Sequence, residues 1–146
     1  MNGAPGPAFI DTNVLVYCLE HTPSQKQDVA KELLEGLMEQ DRIRLSAQVL
    51  QELFATLTRK VKYRLTPGEA VDCLDDLAKW PILAADYDIV RRAAVLTGEA
   101  SISFWDALIV VAASRSGART LYTEDLNHGQ EILGVRVVNP FYGLTA

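Results

Sequence analysis

Cysteine and histidine are scarce in this chain of 146 residues, with two of each. Cys18 and Cys73 stand far apart in apolar-rich segments without a close-spaced partner. That excludes a disulfide framework or a thiolate zinc cluster and reads both as buried thiols. His21 and His128 lie in unrelated segments, so a paired-imidazole acid–base mechanism is without its residues. Positive charge is also in the minority: 14 Lys and Arg face 19 Asp and Glu, giving a net charge of -5 and a pI near 5.0. No global basic field draws such a chain to a polyanion, and any such contact must use a local patch. Nor is there a run of about 18 apolar residues to span a membrane. The opening MNGAPGP (1–7) has no basic region ahead of an apolar stretch, so it reads as a frayed leader rather than a signal peptide. Residues 140–146 read as a C-terminal tail. Repeats and low-complexity linkers are absent too, and 49% hydrophobic content suits one domain over 1–146 with a sizeable core. A cytoplasmic protein is expected.

What is present alternates between strand and helix signals. AFI (8–10) reads as a short strand, and TNVLVYCLE after it as a helix. Thr22, Pro23 and Gln25 offer a cap, a first-turn proline and a glutamine at the third position. They predict a helix running to about residue 41. IRL (43–45) is a second strand. The following segment to residue 63 is helical, with Val49, Leu50, Leu53, Phe54, Leu57 and Val61 on one side. Thr66-Pro67-Gly68-Glu69 repeats the capping signature and opens a helix ending near Trp80. PILAA supplies a third strand, 88–96 a helix, and Ser103 opens a helix through Ser116 that Gly117 closes. RTLYT is a fourth strand, Gly129 sits in a short helical or loop segment, and VRVV is a fifth. This pattern predicts an α/β domain with a mostly parallel sheet.

Ligands of such sheets gather beyond the carboxyl ends of the strands, where the strand order reverses. Asp11 follows the first strand and Asp125 follows the fourth, so adjacency of those strands would bring the two carboxylates together. Asp106 lies in the first turn of the apolar segment SFWDALIVVAA, and Glu52 borders the apolar face of the second long helix. Each acid has a plain structural reading alone. Asp11 is a helix cap, Asp106 stands at capping-box spacing from Ser103, Glu52 is a solvated helix residue and Asp125 a turn residue. Together they map to one end of one sheet, with no nearby run of Lys or Arg. Uncompensated carboxylates repel, and a divalent cation is the usual remedy. Oxygen ligands alone point to Mg²⁺ or Mn²⁺ rather than zinc.

Taken in order, DTNVLVY, SAQVLQEL, FWDALIVVAA and LYTEDLNHG resemble the PIN domain over nearly the whole chain. The likeness is greatest to VapC-type toxins of bacterial VapBC toxin–antitoxin pairs. The resemblance implies a three-layer α/β/α domain with a short five-stranded sheet in the order 3-2-1-4-5. It implies that Asp11, Glu52, Asp106 and Asp125 are the acidic active-site residues, supported by Thr12, Asn13 and Thr123. Asp11 and Asp106 would be the principal ligands of a Mg²⁺ or Mn²⁺ ion. Asp125 and Glu52 would complete the pocket, bind a second ion or position water. The implied activity is hydrolysis of RNA, with a structured RNA such as transfer RNA as substrate, a 5′-phosphate left on the product, and inhibition of translation and growth. The implied partners are a second copy of the chain and a VapB-type antitoxin covering the active site. The helices over 24–41 and 47–63 could receive an antitoxin helix.

RKVKYR packs Arg59, Lys60, Lys62 and Arg64 around Tyr63. Cations at a helix C-terminus explain the run; a phosphate-tracking edge with a stacking aromatic is the functional reading. Two rivals to a nuclease stand beside it. A haloacid-dehalogenase-type phosphatase needs a second Asp where this chain has Asn13. A non-catalytic PIN module that only binds RNA or a partner does not need the complete acidic set.

Overall fold

A computed structural model describes residues 5–60 and 62–144. Val61, expected on the helix face, lies outside the described residues, as do residues 1–4 of the leader and the last two of the tail.

The chain runs β1 (Ala8–Ile10), α1 (Thr12–Cys18), α2 (Gln25–Glu39), β2 (Ile43–Ser46), α3 (Ala47–Arg59), α4 (Pro67–Leu77) and β3 (Ile82–Leu83). It continues through α5 (Tyr87–Ala100), α6 (Phe104–Arg115), β4 (Thr120–Tyr122), β5 (Glu131–Ile132) and β6 (Val135–Val138). The sheet order is β3-β2-β1-β4-β6-β5, parallel throughout except for the β5–β6 pair. Ala8, Phe9 and Ile10 point alternately to opposite faces, yet each is 0% exposed. Both faces of the central strand are therefore covered, as parallel sheets require. Helices α1 to α4 pack on one another as one group and α5 pairs with α6 as a second. Helix α6 meets β2, β4 and β6, and its FWDALIVVAASR run is apolar nearly all round because it is buried nearly all round.

The sheet has six strands rather than the expected five. The extra β5 is a two-residue antiparallel edge strand joined to β6 by Leu133 and Gly134, whose φ values are 51° and 76°. Two successive left-handed residues make the tight turn that matches strand twist. Strands this short show no alternation to read. Helix α2 is capped by Ser24, not Thr22: the Ser24 hydroxyl accepts from the Gln27 N–H at 3.1 Å. Thr66 and Glu69 form both halves of their capping box. The described end of the leader is tied down rather than frayed. Arg42 Nε donates to the Gly6 carbonyl at 2.8 Å, and the Arg119 N–H to that of Pro7 at 2.9 Å. The tail docks as well, with Phe141 only 4% exposed. Cys18 and Cys73 are free and half-buried rather than fully buried.

The packing centres on residues such as Leu121, in the middle of β4 and 0% exposed. Leu121→Ala is expected to destabilise the fold by about 2–5 kcal/mol through lost burial and a residual cavity. Val71→Ala, at a position 44% exposed on α4, should change stability by no more than about 0.5 kcal/mol. Urea unfolding of both variants checks the contrast.

Candidate active site

The strand order reverses between β1 and β4, and Asp11 and Thr123 stand just past the ends of those two strands. The Asp11 N–H donates to the Tyr122 carbonyl at 3.0 Å, and the Thr123 N–H to that of Val138 at 3.1 Å, so the ladder continues one step beyond the strands. Backbone pairing alone thus fixes where both side chains start.

The Asp11 carboxylate is 6% exposed and serves two roles. Its Oδ1 accepts the Thr12 N–H at 2.8 Å and caps α1, while Oδ2 accepts the Thr123 hydroxyl at 2.8 Å. Thr123 is itself 0% exposed. Its Oγ1 also accepts the Asp125 N–H at 3.1 Å and Asn13 Nδ2 at 3.4 Å. One proton given and two taken use all the hydrogen-bonding capacity of a hydroxyl. Asn13 Nδ2 donates in addition to Asp125 Oδ2 at 2.9 Å. Thr12 Oγ1 reaches Glu52 Oε1 and the Val49 carbonyl, both at 3.4 Å, from the first turn of α1 to α3. At the start of α6 the Ser103 hydroxyl accepts the Asp106 N–H at 3.1 Å. The reciprocal half of that capping box is not made, and the Asp106 carboxylate has no hydrogen bond among the described residues. Asp106 and Asp125 line a polar cleft of about 390 Å³ with Ser101, Ser103, Asn127 and Gln130.

Electrostatics ties the four acids together. Burial pushes the Asp11 carboxyl up to about 7, against the hydrogen bonds from Thr123 and Thr12, and the charges of Asp125 and Glu52 add to the rise. Glu52 is raised by burial and by the charges of Asp125 and Asp106. Asp125 is raised by burial and by Asp106. Each of these three therefore feels at least one other member of the set. Their tips are not gathered on one point: among the described residues, no three Asp, Glu, His or Cys side chains stand ready to hold an ion. Mutual repulsion, and the separate partners of Asp11, Asp125 and Glu52, account for that spread. The donor set still suits a hard cation. It is made of carboxylates, and Asn13 Oδ1 is a buried carbonyl oxygen with no partner among the described residues. Such an oxygen can take a water or a hard cation.

The basic run divides. Helix α3 ends at Arg59, earlier than expected, and the chain then turns so that Tyr63 is 4% exposed. Its ring is no stacking surface. Lys62 pairs with Glu20 at 2.9 Å. Lys60 and Lys62 border a cleft of about 180 Å³ that also takes in Asn13 and Glu124. Arg59 and Arg64 are exposed and lie outside it. Sequence reasoning passed over Tyr17, Lys26 and Glu124, whose contacts depend on topology alone. The Tyr17 hydroxyl donates to Glu124 at 2.7 Å, and Lys26 pairs with the same carboxylate at 2.9 Å.

This domain, with its acids at the β1–β4 junction, belongs to the PIN domain family, which the sequence matches over residues 8–130. Solved structures of toxin–antitoxin proteins share its fold. One is a toxin–antitoxin complex from Klebsiella pneumoniae, with TM-score 0.68 and 22% identity, covering 91% of this chain and 97% of that one. Another is VapC20 of Mycobacterium tuberculosis, a Sarcin-Ricin loop cleaving toxin, with TM-score 0.64 and 19% identity over 81% and 91% of the two chains. A third is VapBC2 from Rickettsia felis bound to a DNA fragment from its promoter, with TM-score 0.65 and 23% identity over 89% and 96%. No curated protein matches the sequence.

The Asp11 environment predicts a pH dependence. Between an ordinary 3.8 and about 7 the folded chain holds a proton on Asp11 that the unfolded chain has released. Stability of the cation-free protein should therefore fall as pH rises from about 4 to about 7, by at most about 4 kcal/mol, and level off above. Glu52 and Asp125 shift in the same direction and add to the slope. Asp11→Asn should remove most of it. Urea unfolding in chelator across this range measures both profiles; equal slopes would contradict the assignment.

Proposed function

We propose that this protein is a divalent-metal-dependent endoribonuclease, acting as the toxin of a type II toxin–antitoxin pair in the cytoplasm. The observation that carries the reading is the electrostatic coupling of Asp11, Glu52, Asp106 and Asp125 at the β1–β4 junction, beside the unpartnered Asn13 carbonyl oxygen. Asp11 and Asp106 would be the principal ligands for Mg²⁺ or Mn²⁺, and Asp125 and Glu52 would complete the pocket, bind a second ion or position water. Bound there, the cation would polarise a phosphoryl oxygen and lower the pKa of the attacking water. The chain's own part is orientation. Thr123 holds Asp11, Asn13 holds Asp125, and Thr12 steadies Glu52. Lys60 and Lys62, in the cleft that takes in Asn13 and Glu124, offer phosphate contacts, and the exposed Arg59 and Arg64 outside it could extend them.

Relatives that share the fold support a substrate class and a partner. One of them is a Sarcin-Ricin loop cleaving toxin, which supports a structured RNA here; transfer RNA, with arrest of translation as the outcome, rests on the resemblance to VapC-type toxins. Others are toxin–antitoxin complexes, which supports a VapB-type antitoxin as partner; a homodimer rests on the resemblance to VapC-type toxins alone. Leu15, Leu19, Leu34, Met38, Leu77 and Trp80 line an apolar groove of about 330 Å³ between α1, α2, α3 and α4. An amphipathic antitoxin helix fits such a groove. The groove takes in Leu34 and Met38 of α2 and Leu53 of α3, the two helices expected to receive an antitoxin helix.

The test is cleavage of structured RNAs by purified protein with Mg²⁺ or Mn²⁺, with chelator, and as Asp11→Asn. Cleavage leaving 5′-phosphate ends is expected with either cation. Chelator and Asp11→Asn should each reduce it by about 100-fold or more. Binding of RNA without cleavage under all conditions would favour the non-catalytic module. Equal cleavage by all preparations would mean a contaminating nuclease.

A further inference from the structure

Residues 123–125 are held at three successive side chains. Thr123 turns to Asp11, Asp125 turns to Asn13, and the intervening Glu124 reaches Tyr17, one turn further along α1. Glu124 Oε1 accepts the Tyr17 hydroxyl at 2.7 Å, and Oε2 accepts Lys26 Nζ at 2.9 Å. Lys26 Nζ also donates to the Tyr17 oxygen at 3.1 Å, closing a three-membered network. Asn13 and Tyr17 are four residues apart on α1 and so share a face. That single face holds two consecutive carboxylates, Asp125 and Glu124. The network is roofed from the C-terminal tail. Phe141 packs edge-on against the Tyr17 ring, with centroids 4.9 Å apart, and the Lys26 ammonium lies 5.0 Å from the Tyr17 centroid and 5.3 Å from that of Phe141. Lys26 thus offsets the Glu124 charge next to Asp125, and the aromatic rings fix where that ammonium sits. Phe141 falls outside the residues matched to the family, 8–130.

We propose that Tyr17, Lys26 and Phe141 form a brace on Glu124 that positions Asp125 for the cation, making the tail a working part of the site. The brace rests on the reading that the four acids hold a divalent ion. Its members are positioning residues: Tyr17 and Lys26 bond to Glu124 and to each other, and reach the four acids only through it. Removing a group that bonds a ligand directly weakens metal binding by about 10- to 100-fold, and the brace, acting on Asp125 through Glu124, belongs at the lower end of that range.

Mn²⁺ titration of the full chain by calorimetry tests this, alongside the Mn²⁺ concentration for half-maximal RNA cleavage. Phe141→Ala should raise both quantities by about 10-fold, with maximal rate falling less, and Lys26→Met should raise them by less, because it also removes a positive charge that repels the ion. Lys26→Arg, which keeps the charge and the ring contacts, should restore most of the affinity. Lys79→Met removes a similar ammonium, 5.2 Å from the Trp80 centroid on the α4 side, and should change neither quantity. If Lys26→Met does not fold, Tyr17→Phe serves instead, with an expected rise of about 3-fold from loss of the bonds its hydroxyl makes to Glu124 and accepts from Lys26. Phe141→Ala or Tyr17→Phe with wild-type Mn²⁺ affinity, while Asp11→Asn abolishes binding, would overturn the brace. Undiminished Mn²⁺ binding by Asp11→Asn would overturn the four-acid reading beneath it.

Discussion

Across the junction of β1 and β4, the Thr123 hydroxyl gives its one proton to Asp11 and accepts from both Asn13 and the backbone of Asp125. Neither residue could reach the other without parallel pairing of those strands, whose register places Ile10 opposite Tyr122. From this bond the rest of the site is measured out. Asp11 then caps α1, α1 presents Asn13 to Asp125 and Tyr17 to Glu124, and Thr12 reaches α3 at Glu52. Helix α6 brings Asp106 from the second helical group to the same edge. Fold and site are one construction, because the hydrogen bonds that end the strands also aim the acids.

Such a site is costly to the cation-free chain. A carboxylate 6% exposed, with other acids around it, favours its protonated form, and Asp11 is pushed up to about 7. The tension is confined to a small region with an otherwise ordinary core on both faces of the sheet. Perturbed carboxylates gathered beyond the carboxyl ends of parallel strands are a functional signature rather than a packing one. The unpartnered Asn13 oxygen belongs to the same pattern. A divalent cation would reverse the local preference by favouring the charged carboxylates.

Much of this was legible in the sequence because the relevant rules are local. Asp11 and Asp125 each follow a short apolar strand, and strand ends are where α/β domains collect ligands. Helix caps at Ser103 and Thr66 could be read from spacing alone. Thr22 and Ser24 both satisfy a capping rule, and only tertiary packing selects Ser24. Strand β5 was missed because two residues show no period. Tyr63 was placed on the surface because the helix was extended past Arg59; the real turn, with Arg64 at φ 41°, carries the ring inward. The contacts of Lys26 with Glu124 span 98 residues and arise from topology alone. No local rule could reveal them.

The central claim is that Asp11, Glu52, Asp106 and Asp125 form one cation site. Crystals of the protein grown with saturating Mn²⁺, measured at a wavelength where manganese scatters anomalously, test it most directly. The account predicts an anomalous peak bonded to Asp11 and Asp106 at the β1–β4 junction, with Asp125 or Glu52 turned toward it. A map with no peak there, or with manganese bound only elsewhere, would contradict it.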